Sequence, residues 1–198
     1  MFVMTIDQRG SRRGPDLVGR LLERLSDGPA AGQGVVRGFE RTAGDEVQGL
    51  LDDATVVVDL ALRMAREQSW SVGIGAGGVR RPVPASVRAG AGPAFEHARK
   101  AVERAKSVGP HVAVEGEDAG RGREAGDLLG LLAVLVQRRS AAGWEVVDLL
   151  VQGLTQREVA ARLGVSAQAV NQRARTAWWH HEHDLRPLAA RLLSEAVS

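Results

Sequence analysis

The stretch Leu154–Trp179, LTQREVAARLGVSAQAVNQRARTAWW, is the best point of entry into this chain. Thr155 stands three residues before Glu158, the spacing at which a hydroxyl and a carboxylate cap a helix reciprocally. Val159, Ala160 and Leu163 then share one face at helical spacing. Gly164 follows, and glycine tolerates the positive φ that a helix C-terminus often takes up. Ser166 caps a second helix, whose Ala169 and Val170 turn back toward the first, with small Ala160 where the two approach. These signals agree on a helix-turn-helix.

The outward positions at the start of that second helix are Ser166, Gln168, Asn171 and Gln172, with Arg173 and Arg175 following. Gln and Asn can pair with adenine through two bonds, and Arg with guanine or with phosphate. Thr155, Gln156 and Arg157 open the preceding helix, where side chains and free backbone N–H groups can meet phosphates. Between residues 137 and 179 there are six arginines and three acids, although the whole chain carries a formal net charge of only +2. The expected partner is double-stranded DNA, with a homodimer presenting two such helices to a two-fold site.

Around this unit the chain reads as helix throughout, at roughly 127–140, 144–153, 155–163, 167–181 and 186–196. Leu185, Leu188, Leu192 and Leu193 form an amphipathic tail with a stripe suited to pairing subunits. The run His180-His181-Glu182-His183 lacks the helical metal-binding spacing, because adjacent residues diverge by about 100° around a helix. It reads as a solvated helix end.

Upstream, residues 117–126 are dense in glycine and charge and read as a linker. Before them the order is strand, helix, two strands, helix, strand, helix, strand, with β-prone runs at 2–6, 35–41, 46–51, 70–78 and 111–115. A mixed segment followed by a helical one predicts an α+β chain in two domains: 1–118, a linker at 119–126, and 127–198 with its helix-turn-helix core at 144–181. There is no cysteine, hence no disulfide or thiolate site. No apolar run reaches the length of a membrane span, and residues 1–10 lack the pattern of a signal peptide, so the expectation is a cytoplasmic protein without membrane partners.

Within the first domain Asp7 ends the first strand and precedes the Gly10-Ser11-Arg12 turn; Gly44-Asp45-Glu46 sits at a hairpin tip; Val72-Gly73-Ile74-Gly75-Ala76-Gly77 follows; and Gly92-Pro93-Ala94-Phe95 opens a helix bearing Arg99. In this order the clusters resemble the SatD family, whose members join such a domain to a C-terminal helix-turn-helix. They are also similar to class III nucleotidyl cyclases, and LTQREVAARLGVS is similar to the DNA-reading helices of LuxR-type regulators and sigma-factor region 4. The resemblance implies a ferredoxin-like, palm-type fold followed by the all-α unit. It implies that Asp7 and Asp45 would hold Mg²⁺, and that Gly10, Ser11, Arg12, Gly44 and Arg99 would hold a nucleotide. Glu96 departs from the cyclase pattern, which places an asparagine there, and a carboxylate would repel a triphosphate. The expectation is therefore a DNA-binding regulator whose first domain senses a small ligand or dimerises, rather than an enzyme; a divergent nucleotidyl cyclase or other metal-dependent nucleotide enzyme is the alternative. Read singly, each of these turns has a structural role as its simpler explanation.

Overall fold

The computed structural model describes residues 1–27 and 32–197. Five strands, β1 (Phe2–Gln8), β2 (Val35–Arg41), β3 (Glu46–Leu51), β4 (Trp70–Ala76) and β5 (Val112–Glu115), form one sheet in the order β2-β3-β1-β4-β5. Neighbours are antiparallel except β4 and β5, which run parallel. Helices α1 (Val18–Asp27) and α2 (Ala54–Glu67) connect β1 to β2 and β3 to β4. These connections interleave, so β3 lies between β1 and β2 while β1 lies between β3 and β4. α3 (Pro93–Ser107) joins β4 to β5.

Alternation along β1 assigns the two faces of the sheet. Phe2, Met4 and Ile6 enter the main core with α1, α2 and the inner residues of β4 and β5. Val3 faces the other side and packs with Leu50, Val87, Ala94 and Ala98. There α3 rests directly on β4: a methyl group on Gly73 would collide with the Val102 backbone, and one on Gly75 with the backbone at Ala94 and Ala98. Gly73 and Gly75 thus admit the close approach of a helix backbone. Ala101 and Ala105 continue the contact onto Ala113. At its near end α2 is capped by Asp53, whose side chain accepts from Thr55 and Val56 N–H.

Downstream lie α4 (Ala119–Gln137), α5 (Ala141–Val151), α6 (Gln156–Leu163), α7 (Ala167–Thr176) and α8 (Trp179–Glu195). Residues 119–126, expected as a linker, are the opening turns of α4. Asp118 caps them through Gly120 and Arg121 N–H, and Gly122, Ala125 and Gly126 are buried. Glycine is a poor helix former in isolation, but here its small size lets α4 close onto the chain at Gly116 and Val114. The helix expected to run through to residue 181 breaks instead at Trp178, which is left-handed at φ 54°. Pro187, expected near a helix start, lies inside α8. Of the leucine tail, Leu193 is buried and Leu185 and Leu192 pack against the main core, so most of that stripe serves this chain's own interior; Leu188 is half-buried. Among the described residues no helix is long and apolar enough to cross a membrane.

Candidate functional site

α5, α6 and α7 pack around Val146, Val159, Ala160, Val170 and Ala174, with Leu149, Leu154, Leu163 and Val165 closing the rim. The caps form as the spacing requires. Thr155 Oγ1 accepts from Glu158 N–H at 3.3 Å while Glu158 accepts from Thr155 N–H at 2.7 Å. The Thr155 N–H and, after it, the Thr155 hydroxyl donate to the exposed Glu158 carboxyl and hold it below its usual range. Gly164 adopts φ 65°, and the Ser166 hydroxyl accepts from Ala169 N–H.

With Val170 and Ala174 buried, the opposite side of α7 is fixed. Gln168, Asn171, Gln172 and Arg175 are all exposed and recur at helical spacing, forming one polar stripe. Ser166 stands exposed at its start, and Arg157 is exposed on α6 beside half-buried Gln156. Thr155 is less free than its position suggested, since its hydroxyl donates to Glu158 at 2.7 Å. Arg173 leaves the stripe and pairs with Glu145 of α5 at 3.2 Å.

This unit is tied to α2 through a polar seam. Arg66 binds Asp148 through both carboxylate oxygens, at 2.6 and 2.8 Å. The guanidiniums of Arg66 and Arg139 both stack on Trp144, at 3.7 and 4.3 Å from the ring centre. Arg139 donates to Glu182 and to the Ala177 carbonyl, each at 3.2 Å. Arg186 joins Glu182 (2.6 Å) to Asp59 of α2 (2.9 Å).

A second feature opens at the end of β1. Asp7, Gly10, Ser11, Arg12, Gly44 and Asp45, named separately in the sequence, line one cleft of about 920 Å³. The cause is the register: Asp7 sits opposite Glu46, which brings the hairpin tip beside the Gly10 turn. Arg99 is absent from the lining. The cation that reaches the cleft from α3 is Lys106, whose Nζ lies 3.1 Å from Asp7 Oδ2 and 2.9 Å from Glu103. Gln8, Arg13, Gly14 and Asp16 also line the cleft without having been expected there. Lys106 was the missed residue from a distant element, although its spacing from Arg99 and Glu103 places all three on one stripe of a helix.

Burial pushes the Asp7 carboxyl above its ordinary range, against the pull of Lys106, and Asp45 and Glu46 add to the rise. For Lys106 burial acts downward but is outweighed by the bonds to Glu103 and Asp7, so its ammonium is held above the usual value. The partners differ because Asp7 is the more enclosed, at 16% side-chain exposure against 38%. Lys106 takes up one carboxylate oxygen of Asp7, the residue expected with Asp45 to hold Mg²⁺. Among the described residues no group of three or more His, Cys, Asp or Glu converges as a metal site. The donor set present at Asp7 suits an ammonium. Compared with protein-family models, curated proteins and solved structures, the chain matches none.

Proposed function

We propose that this chain is a DNA-binding transcriptional regulator in which α7 enters the major groove and the sheet-bearing half answers to a small ligand. The carrying observation is the α7 stripe: Gln168, Asn171, Gln172 and Arg175 are exposed while Val170 and Ala174 anchor the opposite face. A helix kept only for packing has no need of a continuous row of side chains able to pair with bases or phosphates on its free face.

The order and directions of β1 to β4 support a ferredoxin-like reading of the first half, with β5 added beside β4. In this reading the cleft takes a phosphate-bearing ligand such as a nucleotide, with exposed Arg12 and Arg13 at its rim. A two-fold dimer would present two α7 helices one helical turn apart, matching a palindromic operator. Leu185, Leu192 and Leu193 of α8 engage this chain's own core and are not offered as its interface.

The test is selection of duplexes from a random pool by the full chain, followed by anisotropy titration. Gln168→Ala and Arg175→Ala are each expected to cost about 1–3 kcal/mol on the selected duplex. A wild-type protein that enriches no sequence and shows no salt-dependent duplex binding would overturn the reading.

A further inference from the structure

We propose that Trp178, Arg175 and His181 clasp the sugar-phosphate backbone of duplex DNA beside the groove that α7 enters. The proposal rests on the DNA-binding reading above, and adds a contact that the helix-turn-helix pattern does not contain.

Three observations meet at this point. First, the turn between α7 and α8 is held from inside. Ala177 and Trp179 are buried at 3% and 6% exposure, and the Ala177 carbonyl is fixed by Arg139. Trp178 lies between these anchors in the left-handed region, at φ 54° and ψ 27°, which a bulky side chain rarely adopts. Its indole is directed outward and remains 54% exposed, so little is gained from its burial.

Second, the exposed indole borders a shallow cleft of about 360 Å³ shared with Gln172, Arg175 and His181. The His181 ring stands 5.5 Å from the Trp178 ring, tilted by 47°. None of the residues lining the cleft is acidic.

Third, the patch continues the polar stripe of α7. Arg175 is the last member of that stripe, and Trp178 follows three residues later. The chemistry is therefore a flat apolar surface flanked by cationic and hydrogen-bonding groups, at the edge of a helix suited to DNA. A deoxyribose can lie against the indole while its phosphate meets Arg175 and His181, and contacts of this kind set register without reading sequence. A second copy of the chain fits less well: a two-fold contact would set the same basic patch against itself.

The experiment uses the full chain and a fluorescein-labelled duplex of mixed sequence at low salt, read by anisotropy, with sedimentation velocity on the same samples. Trp178→Ala removes the indole; Trp178→Asn also removes it but keeps a residue that tolerates the left-handed turn. Both are expected to weaken binding about fivefold, equally on mixed and on selected duplexes. Arg175→Ala should lower the slope of log affinity against log salt by about 1. Unchanged affinity in both Trp178 variants would overturn the clasp. Loss of affinity accompanied by loss of a wild-type dimer would overturn it in favour of a self-interface. If the wild type binds no duplex, the DNA-binding reading itself falls, and the clasp with it.

Discussion

The ion pair between Arg139 and Glu182 is sealed, with both side chains at 0% exposure, whereas Lys106 and Asp7 keep 38% and 16%. The first joins the α4–α5 corner to α8, and its surroundings answer nearly every polar atom: the Ala177 carbonyl, Arg186 and the Trp144 ring all take part. Only Arg139 Nη1 lacks a partner among the described residues. The second stands at the mouth of a cleft, with other carboxylates nearby and room beside it. Enclosure makes the first pair a fixed part of the architecture; access leaves the second able to exchange partners. The sharpest way to break this comparison is Glu182→Ala. It leaves a buried guanidinium uncompensated, and the expected loss is about 3–5 kcal/mol in urea unfolding. Glu182→Gln keeps a hydrogen-bond acceptor and should lose less. A loss under about 1 kcal/mol for Glu182→Ala would show that water reaches the pair and that the two sites are alike.

α3 carries Lys106 to the cleft, and its position depends on the bare backbone of β4. Gly73→Ala would drive a methyl group into the Val102 backbone. Because backbone cannot swing aside as a flexible side chain can, the expected cost is about 1–3 kcal/mol. Gly38→Ala on β2 is the control, since nothing lies within 4 Å of the added group and its φ is ordinary; a near-neutral change is expected there. Equal melting temperatures for the two variants would mean that α3 is not seated by its glycines. In that case Lys106 could shift without disturbing the fold.

The parts legible in the sequence were those whose causes are local. The Thr155–Glu158 capping box, Gly164 at its turn and Ser166 as a cap need only neighbours along the chain, and they form as expected. The strands were legible for the same reason, through alternation and turn residues. What the sequence concealed depends on distant partners. Residues 119–126 carry the composition of a linker but become helix, because Gly122 and Gly126 let α4 approach β5 and the chain after it. The break at Trp178 has no local signal, since the surrounding residues are all compatible with a continuing helix; buried neighbours on both sides hold it. In the cleft, Asp7 and Asp45 were found from their turns. Lys106 was missed because α3 brings it from a hundred residues away.

The smallest expected effect sharpens the comparison by its sign. The Asp7 carboxyl is raised because burial penalises its charge, with Asp45 and Glu46 adding repulsion that Lys106 does not cancel. A carboxyl whose folded value lies above its unfolded one is a net burden at neutral pH, when it is ionised in both states. Asp7→Asn should therefore match or slightly exceed the wild type in melting temperature at pH 7, by contrast with Glu182→Ala. The difference should shrink as pH falls through the raised folded value and on through the ordinary carboxylate range, where Asp7 takes up a proton and its burden disappears. Duplex binding without ligand should be unchanged, since Asp7 stands at the end of β1 while the polar stripe proposed to meet DNA lies on α7. If Asp7→Asn instead melts markedly lower, its pairing with Lys106 is structural, and the distinction between the two ion pairs becomes one of degree.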